Sequence, residues 1–467
     1  MYTPKEGSLV NTILHQICER FISEVTGFFG QEKVLALEEI ETTLKKKTDT
    51  FILEMVKAYL EQLDQAIISD KAGRRQKGIV VERRGDKRDQ YLLFGQLSFK
   101  RTYFYDKRNK KYVYLLDKAV GLESYDRVSN TVAVNLVEHA SESSYGESSR
   151  HVTNGEISRQ TVMKKLRKLK DLKIPEPPVK RRVKVLYVNA DEDHIALQDG
   201  SKTVVPLISI HEGIKRQGQR GQCINPHYIS SHGKPIEDLW LEVAKWIYDS
   251  YEVDYIERIY IHGDGASWIK EGLNWLPKAK KVLDRYHLNK AILEATSRQP
   301  EKRFKLYSAL YSGDQQATKQ LIQQLRQDAK DHSEKKRILG FNRYIKDNWP
   351  GIAIHSQEEC GGSCTEGHVS HVLSKRLSSR PMGWSREGLR VMAELRAYKS
   401  SGGEIKPNHL KGTDSVYKLG KRVIKKVSQN FREVSREQFN NVTILSQGKV
   451  VPGFNWLRGL QNGSNTL

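Results

Sequence analysis

The chain has 467 residues, of which 38% are hydrophobic, 29% charged and 9% aromatic. At roughly 100 to 200 residues per domain this length predicts several folded units, and the composition excludes both wholesale disorder and a membrane protein. No stretch approaches the roughly 18 apolar residues of a membrane helix, and residues 1–20 lack a secretory signal pattern. Four scattered cysteines argue against a disulfide scaffold. We therefore expect a cytoplasmic protein.

Charge is the most informative bulk property. The chain carries 78 Lys and Arg against 56 Asp and Glu, a formal net charge of +22. Such an excess predicts a polyanionic partner, because basic side chains neutralise phosphates and release their counterions. A generic basic protein is the alternative. With the motifs described below, the expected partner is double-stranded DNA and the expected location is the bacterial nucleoid.

The first 172 residues predict two regions. Apolar residues recur at helical spacing from Leu9 to Phe21 and from Phe51 to Leu63, so residues 1–88 are predicted to form a helical N-terminal region suited to oligomerisation. Within it, residues 71–88 are basic, contain glycine and are predicted as a loop. Period-two alternation from Leu97 to Tyr105, a polar turn and then Tyr112 to Leu116 predict a β-hairpin. This hairpin begins the second region, residues 89–172.

The rest of that region resembles a helix-turn-helix. The run from Ser144 to Leu172 predicts a short helix, a turn at Thr153 to Gly155, and a second helix from about Ile157 to Leu172 with Ser158 as its N-cap. Side chains near the start of a recognition helix reach base edges and phosphates, whereas a basic helical hairpin without DNA contact is the alternative. The candidate DNA-binding residues are Arg159, Gln160, Thr161, Lys164 and Lys165, with Arg376 and Arg380 as further backbone contacts.

A proline-containing linker at residues 173–182 precedes the predicted catalytic domain, residues 183–403. Three strands come first, and helices then alternate with further strands, so the order is β-β-β-α-β-α-β-α. The predicted strands are Val183 to Ala190, His194 to Gln198, Thr203 to Ile210, Ile256 to His262 and Lys281 to Leu283. This order is that of a ribonuclease-H-like mixed sheet. The predicted fold class is therefore α+β multidomain, with a helical insertion at about residues 300–349 and a basic C-terminal region, 404–467.

Two aspartates are predicted to meet at one edge of this sheet. Asp191 ends the first strand of the domain and Asp264 follows the fourth, and these strands are neighbours in the expected fold. Adjacent carboxylates suit two Mg²⁺ ions that act on a phosphodiester. Strand-end aspartates also commonly cap helices, and Asp193 is an alternative to Asp191 because strand ends are uncertain by about two to four residues. Gly263 and Gly265 would leave room for a nucleic-acid backbone.

Two further groups of residues are candidates for chemistry. Asp284 and His287 lie at a strand-to-helix junction, where His287 can bind a phosphate or orient a DNA end, although a capping aspartate beside a surface histidine explains the same spacing. The second group can bind Zn²⁺, and buried cysteines in a glycine-containing loop are the alternative. Its members are Cys360, Cys364, His368 and His371.

Four segments resemble the ISLre-two family of bacterial insertion-sequence transposases, and the likeness extends from about Tyr91 to Gly403. The segments are His262 to Trp268, Leu283 to Lys290, Glu366 to Ser374 and Arg376 to Trp384. That family is similar to mutator-like transposases of the acidic-triad (DDE) superfamily. The resemblance implies Asp191, Asp264 and Glu366 as the triad that holds the metal, with Asp284 and His287 as the C/D-x-x-H motif.

The expected function is that of a DNA transposase. Metal-dependent cleavage at transposon ends would be followed by strand transfer into target DNA, with Mg²⁺ as cofactor and Mn²⁺ as a substitute. Because two ends must be joined, a homodimer or higher oligomer on DNA is expected. The alternatives are a metal-dependent nuclease without strand transfer, a non-catalytic DNA-binding protein, and a zinc-organised nucleic-acid-binding protein.

Overall fold

The computed structural model describes residues 6–218, 220–361, 365–380, 382–410 and 417–440. The chain divides into two compact units, residues 1–133 with 411–467 and residues 134–410. Both contain helices and sheet, so the protein is of the mixed α/β class. Among the described helices, none combines the length and the apolarity that crossing a bilayer requires.

The first unit begins with helices, as the apolar periodicity predicted. They are α1 (Glu6–Phe29), α2 (Leu37–Ser69) and α3 (Lys71–Gln76). Leu60, Leu63 and Ile67 recur every three to four residues of α2 and are buried, so this helix presents an apolar stripe to the core of the unit. The unit also contains α4 (Leu115–Val120) and α18 (Lys421–Asn440). Val423 and Val427 of α18 complete the same core.

A three-stranded antiparallel sheet covers this core. Its strands are β1 (Ile79–Leu92), β2 (Gly95–Asp106) and β3 (Lys111–Val113), in the order β1-β2-β3. The predicted loop at residues 71–88 is wrong, since most of it forms α3 and β1. Strand β1 was not recognised in the sequence because it is rich in basic side chains. Arg88, for example, is buried and donates from Nη1 to Asp117 Oδ2 at 2.7 Å and from Nη2 to the carbonyl of Asp126.

Helix α5 (Asn130–Ala140) contains the boundary between the units, and the predicted helix-turn-helix follows it. Helices α6 (Tyr145–Thr153) and α7 (Arg159–Arg167) are joined by a turn in which Asn154 and Gly155 have positive φ. The predicted N-cap is confirmed, because Ser158 Oγ accepts a hydrogen bond from Thr161 N at 3.2 Å. Helix α7 ends at Arg167, about one turn before the predicted end.

A five-stranded sheet is the centre of the second unit. Its strands are β4 (Val185–Ala196), β5 (Lys202–His211), β8 (His227–Ser230), β9 (Arg258–Gly263) and β10 (Ala279–Leu283). The order is β10-β9-β4-β5-β8, in which β4, β5 and β8 are antiparallel neighbours while β9 and β10 run parallel to β4. A separate two-stranded ribbon comprises β6 (Ile214–Gln217) and β7 (Arg220–Cys223).

The strand predicted as two pieces, Val183 to Ala190 and His194 to Gln198, is one continuous strand, β4. Three consecutive acids at 191–193 suggested a turn. The strand continues through them because each acid has a partner. Asp191 accepts from Glu192 N at 2.8 Å, Glu192 accepts from Trp268 Nε1 at 2.6 Å, and Asp193 accepts from Ser378 Oγ at 2.8 Å. Asp191 therefore lies inside the strand and not at its end.

The remaining helices of the second unit lie between and after these strands in the chain. They are α8 (Ile236–Ser250), α9 (Ser267–Lys270), α10 (Gly272–Trp275), α11 (Arg285–Ala295), α12 (Arg303–Tyr311), α13 (Gln315–Gln327), α14 (His332–Gln357), α15 (Thr365–Val369), α16 (Lys375–Leu377) and α17 (Arg386–Ser400). A π-helical turn, Ser370–Ser374, links α15 to α16. One face of the sheet is apolar and packs on α8, with Val188, Ile208 and Trp240 fully buried. The helices predicted within residues 300–349 are present as α12, α13 and most of α14.

Candidate active site

The strand register brings the two predicted aspartates to equivalent positions. Asn189 of β4 pairs with His262 of β9 in parallel alignment. Asp191 lies two residues beyond Asn189, and Asp264 lies two residues beyond His262. Side chains alternate along a strand, so residues two apart lie on the same face of the sheet. Asp191 and Asp264 are therefore expected on the same face as Asn189 and His262, next to the end of β9.

A third aspartate occupies the corresponding position on the next strand. Leu283 of β10 pairs with Gly263 of β9, and Asp284 follows Leu283 directly. Asp284 is 3% exposed and its Oδ1 accepts a hydrogen bond from Tyr286 N at 2.8 Å, so it is the N-cap of α11. The capping role considered for this residue is confirmed. Its burial next to two other acids is a feature that the sequence argument missed.

Backbone amides hold the first two carboxylates in fixed orientations. Asp191 is 6% exposed and its Oδ1 accepts from Glu192 N at 2.8 Å. Asp264 is half-buried and its Oδ1 accepts from Ala266 N, also at 2.8 Å. In each aspartate this amide engages Oδ1 only, and in Asp191 the other oxygen, Oδ2, faces His287. Carboxylate oxygens are the ligands that Mg²⁺ prefers, so the donor chemistry of this pair fits the expected metal.

His287 of α11 lies beside the first carboxylate. Its Nε2 is 3.7 Å from Asp191 Oδ2, which is beyond hydrogen-bond length but close enough for an ion pair. The interaction with Asp191 raises the pKa of His287 against the opposing effect of burial, and the charges of Asp284 and Asp264 raise it further. The structure thus brings His287 into the acidic group, where its positive charge is stabilised.

Helix α14 supplies residues that the sequence did not single out. Tyr344 Oη donates to the backbone carbonyl of Asp264 at 3.1 Å, and burial together with the charges of Asp264 and Asp284 raises the pKa of Tyr344. Asn348, one turn later, accepts from Lys281 Nζ at 2.6 Å. Burial lowers the pKa of Lys281 to about 8, and Lys270 contributes in the same direction. The only sequence signal for Tyr344 and Asn348 is their i,i+4 spacing, which places them on one helix face.

The two glycines around Asp264 serve protein packing. A Cβ on Gly263 would lie 2.7 Å from Ile269 Cδ1 and 2.9 Å from the carbonyl of Ala190. Gly265 has a φ of +101°, and a Cβ there would collide with Asn348. The expectation that these glycines admit a nucleic-acid backbone is therefore corrected.

The third predicted acid is only partly described. Glu366 belongs to α15, which packs against β4, the strand that carries Asp191. The side chain of Glu366 is outside the described residues. Within the side chains that are described, no three of His, Cys, Asp and Glu lie close enough together to hold a metal ion. Asp191 and Asp264 are thus the described part of the predicted metal-binding set.

The residues considered for zinc have other partners where they are described. Cys360 is buried, and its Sγ lies 3.3 Å from His355 Nδ1. His368 is hydrogen-bonded through Nδ1 to Ser209 Oγ at 2.9 Å, and its Nε2 lies 3.4 Å from Cys223 Sγ. His371 is exposed. Cys364, the remaining member of the set, lies outside the described residues.

Helix α7 presents some of its predicted DNA contacts to solvent. Arg159, Gln160 and Lys164 are exposed, and Thr161 is half-buried with its hydroxyl 3.1 Å from that of Ser158. Lys165 is 3% exposed. The other buried residues of α7 are Val162 and Leu166, so Lys165 lies on the inward side of this helix. Its side chain is therefore inside the protein and not directed towards DNA.

The two downstream arginines also differ. Arg380 is exposed. Arg376 is 5% exposed, donates from Nε to the carbonyl of Ala140 at 2.9 Å and lies 4.8 Å from the ring centre of Trp384. Its guanidinium ties parts of the second unit together and is not available to a DNA phosphate.

The fold and the site define a mixed α/β protein with an acidic edge on its larger sheet. A family model described as "Uncharacterised protein family (UPF0236)" matches residues 31–412, and the chain belongs to this family. UPF0236 protein TTE2489 of Caldanaerobacter subterraneus subsp. tengcongensis is 40% identical over 449 residues, which cover 94% of this chain and 96% of the relative. The UPF0236 protein in vanSb 3'region of Streptococcus gallolyticus is 26% identical over 385 residues, 78% of this chain and 83% of the relative.

The family inferred from the sequence motifs is therefore wrong. The match is to UPF0236, and neither the family description nor the names of these relatives indicate a transposase or an acidic-triad family. Residue roles that came from the resemblance alone lose that support, above all the role of Glu366. Asp191 and Asp264 keep the independent support of the strand register.

Proposed function

We propose that this protein is a metal-dependent enzyme that cuts DNA strands at the ends of a mobile element and joins them to target DNA. The observation that carries the proposal is the equivalent placement of Asp191 and Asp264, each two residues beyond the last paired residues of the parallel strands β4 and β9 and each with one carboxylate oxygen held by a backbone amide. Preorganised carboxylates at a sheet edge suit a divalent cation, and a phosphodiester is the substrate on which such pairs commonly act.

The sheet supports a ribonuclease-H-like fold for the second unit. Strands β4, β5 and β8 form an antiparallel group, and β9 and β10 extend it on the other side of β4 in parallel. The same order led to this fold from the sequence. In it, the acids of the first and fourth strands are neighbours, which agrees with the register of Asp191 and Asp264.

Each side chain has a role in this proposal. Asp191 and Asp264 would hold Mg²⁺ or Mn²⁺, which would supply an activated water or hydroxyl and stabilise the leaving oxygen. Glu366 is the proposed third acid on the ground that its helix, α15, packs against β4. His287, whose pKa is raised by its interaction with Asp191, can donate to a phosphate oxygen in its protonated form. Tyr344 fixes the backbone at Asp264 through its hydrogen bond to that carbonyl.

Three observations favour DNA and a mobile element. The net charge of +22 suits a polyanion, and α7 exposes Arg159, Gln160 and Lys164 at its start. The name of another relative from the Caldanaerobacter strain joins eleven gene designations. A protein encoded at many places in one genome is what a mobile element produces. Joining two ends requires two active sites, so the proposal includes at least a homodimer.

The test is strand cleavage of a plasmid that carries the gene with its flanking DNA, in the presence of Mg²⁺. Asp264→Asn should reduce cleavage by at least about a hundredfold and leave DNA binding intact, because an amide of the same shape cannot neutralise a divalent cation. Glu366→Gln should do the same if Glu366 is the third acid.

The matched control is Asp238→Asn, which removes the charge of an exposed aspartate in the first turn of α8 and should leave cleavage unchanged. Cleavage that persists in EDTA or in Asp264→Asn would exclude the proposed chemistry. Cleaved products that are never joined to a second DNA would instead identify a nuclease without strand transfer.

A further inference from the structure

Four tyrosines form a continuous row on the sheet of the first unit. Ring centroids of Tyr103 and Tyr112 are 5.1 Å apart, those of Tyr105 and Tyr112 are 4.9 Å apart, and those of Tyr103 and Tyr114 are 4.6 Å apart. The rings come from the paired strands β2 and β3 and the residue after β3, so the backbone ladder fixes their spacing. We call this surface the tyrosine face.

The tyrosine face lies opposite the side of the sheet that forms the core. Phe104, between Tyr103 and Tyr105 in β2, is fully buried, and Thr102 Oγ1 donates to the buried Asp64 of α2 at 2.7 Å. Because side chains alternate along a strand, Tyr103 and Tyr105 point away from α2. Tyr112 is 53% exposed. Packing of the core therefore does not require the aromatic row.

Cations surround the tyrosine face. Arg83 lies over Tyr103, with its guanidinium carbon 5.3 Å from the ring centroid. The turn between β2 and β3, together with the first residue of β3, carries four exposed basic residues, and the carboxylate of Asp106 is engaged there by the amides of Arg108 and Asn109. The four are Lys107, Arg108, Lys110 and Lys111. None of these four forms an ion pair with another described side chain, so their charge is available to a polyanion.

We propose that the tyrosine face binds a DNA strand whose bases are unpaired. Every base has a flat face that stacks on an aromatic ring, and nearby lysines neutralise the phosphates that link the bases. An intact duplex hides its base faces, so it could use the cations of the turn but not the rings. The inference rests on the proposed function in one respect, the choice of DNA as the polymer, since cutting and joining strands exposes unpaired ends.

The experiment measures fluorescence anisotropy of a labelled oligothymidylate of about 20 nucleotides with the full-length protein in EDTA, and a duplex of equal length in parallel. Removing one stacking ring costs about fivefold or more in affinity. We expect Tyr112→Ala to weaken single-strand binding by at least about that factor and duplex binding by less than about twofold. Tyr112→Phe, which keeps the ring, should bind nearly as the unchanged protein does.

A matched control exists in the same unit. Tyr125 is fully exposed and has no place in the row, so Tyr125→Ala should leave binding unchanged. Circular dichroism of all variants checks that the fold is retained. The proposal is overturned if Tyr112→Ala binds oligothymidylate like the unchanged protein, if Tyr125→Ala loses as much, or if the duplex suffers the larger loss.

Failure of this proposal is distinguishable from failure of the proposed function. EDTA removes the metal-dependent chemistry from the binding assay, and Asp264→Asn should bind oligothymidylate normally. A loss of cleavage in Asp264→Asn with no effect of Tyr112→Ala would reject the tyrosine face alone. The reverse pattern would reject the catalytic proposal alone.

Discussion

Buried histidines give the second unit a specific acid sensitivity. His211 is completely buried, with Nε2 3.0 Å from Asn189 Nδ2 and Nδ1 3.1 Å from the carbonyl of Gly213. Burial lowers the pKa of His211 to about 4, and it does the same for His227 and His368. An unfolded histidine has a pKa of about 6.5, so the unfolded state binds more protons between these values. Stability is therefore fully present above pH 6.5 and is lost as the pH falls towards 4.

This loss of stability at acidic pH leads to a prediction for His211→Gln. Each such histidine contributes a slope of about 1.4 kcal/mol per pH unit in this window, so the variant should lose less stability than the unchanged protein on acidification. Urea unfolding midpoints at pH 7.5, 5.5 and 4.5 measure the difference. His194→Gln is the control, because the side chain of His194 is 71% exposed. Parallel pH profiles of His211→Gln and the unchanged protein would disprove the argument.

The residues of the candidate site differ in how well the sequence predicted them. The order of strands predicted that Asp191 and Asp264 belong to neighbouring strands, and the register agrees with this. The prediction wrongly placed Asp191 at a strand end, because β4 continues to Ala196. Arg376 was wrongly predicted to contact the DNA backbone. The sequence alone does not indicate whether a basic side chain faces solvent or a buried carbonyl. Tyr344 and Asn348 could not be predicted, since α14 reaches the site only through tertiary packing against β10.

At the scale of elements, α7 is the best-defined DNA-binding candidate. Arg159 and Gln160 stand at its first two positions and are exposed, where side chains of a recognition helix meet base edges. Replacing both by alanine should weaken binding to the DNA ends of the proposed mobile element about tenfold or more, and binding to random DNA much less. Competition gel shifts with the two DNAs measure this ratio.

Arg150→Ala provides the control for that experiment, since this exposed arginine lies in α6 and not in α7. It should change both affinities slightly and equally. Equal losses on specific and random DNA for the α7 variant would mean that its side chains contact phosphates only, and that sequence is read elsewhere.

Elements with regular apolar spacing were predicted well, and polar strands were not. The helices α1 and α2 contain the predicted helical segments, and the strands β2, β5, β9 and β10 lie close to their predicted positions. Strand β1 was missed and β4 was divided, because Arg88 and the acids at 191–193 are polar in sequence yet satisfied by partners from other elements. A strand whose polar groups are paired at long range has no period-two signal to detect.

At the scale of the whole molecule, the predicted boundaries at residues 172 and 183 fall inside the second unit, which spans residues 134–410. Contacts within this unit cross the proline-containing linker. Besides the Arg376 bond to Ala140, Arg396 is 5% exposed and donates from Nη1 to the carbonyl of Ser141 at 3.3 Å. Two buried guanidinium groups thus donate to carbonyls at the C-terminal end of α5, Ala140 and the residue that follows it.

These contacts predict how fragments of the chain behave. A fragment of residues 130–410 should unfold cooperatively on its own, whereas a fragment of residues 183–410 should melt at a much lower temperature or fail to fold. The shorter fragment removes the acceptors at Ala140 and Ser141 and the packing of α7 on α17, and each lost hydrogen bond from a charged donor costs about 1.5 to 3 kcal/mol. Thermal unfolding followed by circular dichroism compares the two. Replacing Arg376 and Arg396 by Met should partly restore the shorter fragment, because a neutral side chain of similar length needs no acceptor. Equal melting temperatures for the two fragments would show that the unit begins after the linker.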